Sequence, residues 1–152
     1  DFVVSSTRVR RLVAEGRVDE AAALLGHHYV LPGTVVEGDQ RGRTIGFPTA
    51  NLQSDNELLP PNGVYATLAI VDEVAHPALT NVGVRPTVSD AGGRVVETHI
   101  LDFSGDLYGR GLRLAFLQRL RDERRFEGLD ALRAQITADV AEARDLFRRI
   151  SL

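Results

Sequence analysis

Gly63-Val64-Tyr65-Ala66-Thr67-Leu68-Ala69-Ile70-Val71 is the stretch whose reading decides the fold. It carries no charge and is rich in β-branched and aromatic side chains, and Leu58-Leu59-Pro60-Pro61-Asn62 ahead of it is a turn in which the prolines stop any helix. Val64, Ala66, Leu68 and Ile70 share one face, and Tyr65, Thr67, Ala69 and Val71 share the other. The pattern predicts a strand covered on both sides.

Working outward, strand signals continue in both directions. Ala78 to Val84 is a short strand ended by Arg85-Pro86, and Ser89-Asp90-Ala91-Gly92-Gly93 is a turn. In Arg94 to Leu101, Val96, Thr98 and Ile100 alternate against Val95, Glu97 and His99. Turns around Ser104-Gly105-Asp106 and Gly109-Arg110-Gly111 lead to Leu112, Leu114 and Phe116, the mark of a last strand. Upstream, Val30 through Glu37 is also β-rich. Five or six short strands with glycine turns and no helix between them favour an antiparallel barrel.

Helical patterns flank this region. Ser5-Ser6-Thr7 caps a first helix with Val9, Leu12 and Val13 on one face and Gly16 as its stop, and Val18, Ala21, Ala22 and Leu25 form a second. At the far end Leu129, Leu132, Ile136, Val140, Ala143, Phe147 and Ile150 make an apolar stripe, with Arg133, Asp139, Glu142, Arg144 and Arg148 assigned to the opposite side. Core packing on the barrel accounts for that stripe.

Composition narrows the function. The chain has 152 residues, 43% of them hydrophobic and 26% charged, which fits one domain with a full core. No apolar run approaches the roughly 20 residues of a membrane span, and no signal pattern opens the chain, so a cytoplasmic location without membrane contact is expected. There is no cysteine, hence no disulfide framework and no thiolate metal site. All 18 basic residues are arginine, which excludes a P-loop and Schiff-base chemistry, both of which need lysine. A formal charge of −3 argues against broad nucleic-acid binding. The chain begins with Asp and contains no methionine, and reads as a piece of a longer protein.

Most of the chemistry lies in Gly38-Asp39-Gln40-Arg41-Gly42-Arg43-Thr44-Ile45-Gly46-Phe47-Pro48-Thr49-Ala50-Asn51-Leu52. Its glycines allow close backbone approach, Arg41 and Arg43 supply fixed positive charge, and Thr49 and Asn51 offer hard oxygen atoms two residues apart. That set suits a polyphosphate with its metal ion, although a plain surface loop would use similar residues. Glu97 sits on a strand face with Val95 and His99, where desolvation would tend to raise its pKa toward that of a general base, while a solvent-facing glutamate is the bland alternative. Polyphosphate site and base together describe phosphoryl transfer, which needs positioning and charge neutralisation more than covalent chemistry. Two neutral oxygens hold Mg²⁺ weakly, so the metal would arrive with the nucleotide. Arg121-Asp122-Glu123-Arg124-Arg125-Phe126 is either a charged loop anchored by Phe126 or a segment that closes over the second substrate. His27-His28 lacks a local carboxylate or cysteine to complete a metal site.

Taken jointly, Gly38 to Leu52 with its Gly-Phe-Pro-Thr-Ala-Asn core, Asn81-Val82-Gly83-Val84-Arg85-Pro86-Thr87, Val96-Glu97-Thr98-His99-Ile100 with Asp102-Phe103, Asp106-Leu107-Tyr108-Gly109 and Arg121 to Phe126 resemble the riboflavin kinase module of bacterial bifunctional FAD synthetases. The resemblance spans roughly residues 27 to 150 and is in the family's order. It implies a mainly β fold, a six-stranded antiparallel Greek-key barrel with a C-terminal helix, and ATP-dependent phosphorylation of the riboflavin 5′-hydroxyl to FMN. By the same resemblance Thr49 and Asn51 are metal and phosphate ligands, and Glu97 is the catalytic base. Gly38, Arg41, Gly42, Arg43, Gly46 and Pro48 bind the nucleotide with them, and Arg121, Arg124 and Phe126 meet the flavin. Ile45, where the family often has leucine, is a minor departure. Val4-Ser5-Ser6-Thr7-Arg8-Val9-Arg10 resembles the last motif of the adenylyltransferase module that precedes the kinase. Residues 1–26 are accordingly expected to be a helical remnant or linker of that module and 27–152 the kinase domain, without FMN adenylylation by this stretch alone. Two other readings remain open: a flavin- or nucleotide-binding barrel without catalysis, and a structural interaction domain of the parent enzyme.

Overall fold

The computed structural model describes residues 6–25, 29–36, 49–54, 59–84, 94–103, 105, 107–124 and 126–149. Two helices, α1 (Ser6–Ala14) and α2 (Val18–Leu25), precede six strands: β1 (Tyr29–Val36), β2 (Ala50–Gln53), β3 (Gly63–Val71), β4 (Val74–Val84), β5 (Arg94–Ile100) and β6 (Gly111–Arg121). The long helix α3 (Leu129–Arg149) ends the described chain. The strands close into an antiparallel barrel in the order β1-β2-β5-β4-β3-β6. Consecutive hairpins join β3, β4 and β5, and β2 lies beside β5, the return that defines a Greek key.

Alternation divides each strand between an inside and an outside. Tyr65, Ala69 and Val71 of β3, Ala78 and Val82 of β4, Val96 and Ile100 of β5 and Leu112, Leu114 and Phe116 of β6 form one buried cluster with Leu31, Val35 and Leu52. The Tyr65 and Phe116 rings meet edge to face at 5.2 Å and 86°, and the Tyr65 hydroxyl donates to the Pro61 carbonyl at 2.7 Å. Outside, Val64 and Leu79 pack under α3 against Ala143, Val140 and Phe147. The helix therefore covers only part of the barrel wall.

The helical lead-in is joined to the barrel. Val18 of α2 is fully buried within the barrel's own cluster. Gly16 ends α1 with a φ of 81°, which favours glycine, and a side-chain carbon there would come within 2.9 Å of the Arg119 Cδ.

Three boundaries differ from the sequence reading. Residues 50–52, read as part of the glycine loop, fall in β2. The strand expected from Ala78 begins at Val74, because Asp72 and Glu73 make a two-residue turn with φ of 49° and 68° in which Val71 pairs Val74. Such primed turns are usually announced by Asn-Gly or Asp-Gly, and neither is present. Helix α3 carries the third difference. Asp139, assigned to the solvent side, is 2% exposed.

Candidate active site

One row of residues crosses all six strands on the outside of the barrel. Val36 of β1 faces Asn51 of β2, Asn51 faces Glu97 of β5, Glu97 faces Asn81 of β4, Asn81 faces Val64 of β3, and Val64 faces Arg121 of β6. Their neighbours Leu52, Val96 and Val82 point into the core, so the row itself points out. At one end α3 covers Val64 and binds Arg121. The polar trio Asn51, Glu97 and Asn81 lies beyond that cover.

Asn51 is 5% exposed, and Glu97 and Asn81 are half-buried. The Oδ1 atoms of both Asn51 and Asn81 are buried and lack a hydrogen-bond partner among the described residues. An acceptor left in that state costs about 1–3 kcal/mol, which a bound ion, water or ligand donor would recover. Thr49, half-buried, stands directly ahead of β2 and two residues from Asn51. β1 ends at Val36 and β2 begins at Ala50, and Val36 pairs directly with Asn51.

The segment after β6 is fastened to α3. Arg121, the last residue of β6, donates from Nε to Asp139 Oδ1 at 2.8 Å and from Nη2 to Oδ2 at 2.7 Å, and its Nη1 reaches the Asp122 carbonyl at 2.8 Å. Gln135 adds a third hydrogen bond to Asp139 at 3.0 Å and accepts one from Arg124 at 2.8 Å. Both guanidinium groups stand over the Phe126 ring, Arg124 at 5.2 Å and Arg121 at 5.9 Å. The network holds Phe126 half-buried beside the helix. Further along, the Glu123 carboxylate rests on Gly83 of β4, where a side-chain carbon would overlap it.

Arg119 braces the same segment from the other side, bonding the Asn62 carbonyl at 2.8 Å and the Asp122 carboxylate at 2.7 Å. Burial works against its charge, but the hydrogen bond to Asp122 helps to outweigh it and raises its pKa above the ordinary arginine value. On the outer turn after β5, Arg144 of α3 grips Asp102 with two hydrogen bonds of 2.8 and 3.0 Å. That contact holds the Asp102 carboxyl below its usual range.

Of the residues singled out in the sequence, the structure brings Asn51 and Glu97 face to face, with Thr49 two residues from Asn51. Arg121, Arg124 and Phe126 form a second group, linked to the row through the Val64–Arg121 pairing. Gly38, Arg41, Gly42, Arg43, Gly46 and Pro48, like His27 and His28, lie outside the described residues. In the sequence Asn81 stands out only as a member of the Asn81 to Thr87 motif. Its signal was an amide at an alternate position, between Leu79 and Gly83, on an otherwise apolar face of a short strand.

The neutral, unpaired Asn51 Oδ1 is the kind of hard oxygen that fits Mg²⁺. Among the described residues no three His, Cys, Asp or Glu side chains gather to hold a metal, so phosphate oxygens and water would have to complete its shell.

The riboflavin kinase family model matches residues 25–147. A bifunctional riboflavin kinase/FMN adenylyltransferase of Pseudomonas fluorescens is 46% identical over 143 residues, covering 94% of this chain and 46% of the relative. The chain thus spans about half the length of the curated relatives it matches. A crystal structure described as a macrolide-efflux protein from Streptococcus pneumoniae aligns with a TM-score of 0.87 and 37% identity, over 93% of this chain and 46% of that one. Riboflavin kinase from Trypanosoma brucei aligns with a TM-score of 0.56 and 30% identity, over 78% of this chain and 79% of that one. With the barrel, the paired Asn51 and Glu97 and these matches together, the chain belongs to the riboflavin kinase family.

Proposed function

We propose that the chain transfers the γ-phosphoryl group of ATP to the ribityl 5′-hydroxyl of riboflavin, giving FMN and ADP, as the kinase module of a longer enzyme. The observation that carries this is the cross-strand pairing of Asn51 with Glu97, a neutral metal-seeking oxygen beside a carboxylate on the part of the barrel wall that α3 does not cover. Glu97 accepts the hydroxyl proton as the new O–P bond forms and the bond to ADP breaks. Thr49 and Asn51 hold Mg²⁺ together with the nucleotide phosphates, and the metal supplies neutralisation of the charge on the transferred group. The amides and arginines of the glycine stretch, Gly38, Arg41, Gly42, Arg43, Gly46 and Pro48, enclose the phosphates. Arg124 and Phe126 meet the flavin, and Arg121 fixes their segment to α3.

Residues 1–26 serve as the joint to a preceding adenylyltransferase module, and FMN adenylylation lies outside residues 27–152. No helix among the described residues is long and apolar enough to cross a membrane, which agrees with an enzyme that works in the cytoplasm on small soluble substrates. A binding barrel or a purely structural domain would have no use for a general base at Glu97. Incubation with riboflavin, ATP and Mg²⁺ should yield FMN and ADP in equal amounts. ADP release that ignores riboflavin would overturn the assignment.

A further inference from the structure

Asn81 is the polar member of the outer row without a part in the chemistry described so far. It stands opposite Glu97 on one side and Val64 on the other, on the flank of Glu97 away from Asn51. Its Oδ1 is buried and without a hydrogen-bond partner among the described residues. Two residues along the same face of β4, Gly83 carries the carboxylate of Glu123. Asn81, Glu97 and Glu123 thus bring acceptor oxygens to one patch, and such a patch is complementary to a ligand rich in donors.

A cation or a hydroxyl group could satisfy Asn81 Oδ1, and the order of the strands separates the two. Asn51 lies on the side of Glu97 toward β1 and the glycine stretch, where phosphates and metal belong. Asn81 lies on the side toward Val64 and Arg121, from which the 121–126 segment extends. A phosphoryl acceptor that enters between that segment and Glu97 passes Asn81. Side chains facing each other across neighbouring strands start about 4.5–5.5 Å apart at Cβ, a separation that lets two of them converge on hydroxyls of adjacent carbons. Glu123 is exposed and held on Gly83 by a flexible side chain, so it can move aside as a ligand enters.

We propose that Asn81 positions the acceptor and reads its polyol: Oδ1 accepts a hydrogen bond from the hydroxyl next to the one that Glu97 deprotonates. This rests on the riboflavin kinase reading above. A site built around a buried acceptor rejects an analogue that lacks the matching hydroxyl, because the acceptor is then left unpaired.

The test compares riboflavin with its 4′-deoxyribityl analogue, using flavin fluorescence titration in the presence of ADP and Mg²⁺ and steady-state turnover with ATP. Asn81→Ala should raise the Kd and KM for riboflavin by about tenfold, leave the KM for ATP within about twofold and bind the deoxy analogue as the parent chain does. Asn81→Asp, which keeps an acceptor, should preserve the preference for riboflavin over the analogue, and melting curves of both variants show whether they fold. An equal loss with both flavins, or no loss with riboflavin, would overturn the assignment and leave Asn81 a structural residue. If the parent chain itself neither binds nor phosphorylates riboflavin, the kinase reading fails and this inference falls with it. A parent chain that is active beside an unselective Asn81→Ala effect sinks the inference alone.

Discussion

Strands β4 and β5 carry two polar rows, one on each face of the same sheet. Inside the barrel, the hydroxyls of Thr67, Thr80 and Thr98 are buried and linked to one another at 2.8 and 3.0 Å. Outside, one residue along on each strand, Asn81 and Glu97 line up with Asn51, and among the described residues neither amide oxygen has a hydrogen-bond partner. Hydroxyl groups can donate and accept in turn, so the inner row closes on itself. Two amide oxygens beside a carboxylate offer acceptors in excess. The inner row is a property of the fold, and the outer row is a demand for a ligand.

The largest effect on stability expected from a change on the outer wall concerns the part of it that is already paired. Asp139→Asn leaves Arg121 nearly buried beside an uncharged partner, and urea unfolding should show a loss of about 3 kcal/mol, the lower end of what breaking a buried ion pair costs. The KM for riboflavin should rise with it, because the 121–126 segment loses its anchor, while the KM for ATP stays close to its starting value. A stable variant would show that pairing does not separate structural from functional groups on this face.

Asn51→Ala removes an unpaired acceptor instead. Turnover should fall on the order of 100-fold, the scale of losing one preorganised electrostatic contact, and the Mg²⁺ concentration needed for half-maximal rate should rise. Melting should be unchanged or slightly raised, since no partner is stranded. A clear loss of stability would place Asn51 with the inner threonines.

The smallest effect belongs to the Asp102–Arg144 contact at the edge of the same wall. The hydrogen bond from Arg144 depresses the Asp102 pKa in the folded chain, so the stabilisation is present above the ordinary carboxylate range and is lost as pH falls through the lowered value. Both groups are exposed, and the contribution is small and screened by salt. The difference in melting temperature between the parent chain and Arg144→Gln should be measurable near neutrality and vanish in acid. A difference that persists in acid would mean that Arg144 acts through packing.

The barrel was legible because alternation is local. Tyr65, Thr67, Ala69 and Val71 announce their inner face without help from any partner strand, and the apolar stripe of α3 is equally self-contained. Ala50 to Gln53 is too short to outweigh the glycines before it, and the Asp72-Glu73 turn puts Glu73 at a positive φ where glycine is the usual residue. Asp139 looked like a surface acid because its partner, Arg121, lies on another element and only tertiary pairing makes its burial tolerable. The site divides the same way. Glu97 and Asn51 could be named from motif and chemistry, but that they face each other, and that Asn81 completes their row, depends on the register of β2, β5 and β4.

Glu97 and Thr98 are adjacent on β5 and point to opposite faces, so they test the division between the two rows most directly. Melting and riboflavin-dependent ADP release would be measured on Glu97→Gln and Thr98→Val side by side. Glu97→Gln should lose about 10³-fold in turnover with its melting temperature kept, and Thr98→Val should lose about 1 kcal/mol of stability with turnover within about threefold. Near-full turnover in Glu97→Gln, or an equal loss of turnover in Thr98→Val, would contradict the assignment of the outer row to catalysis.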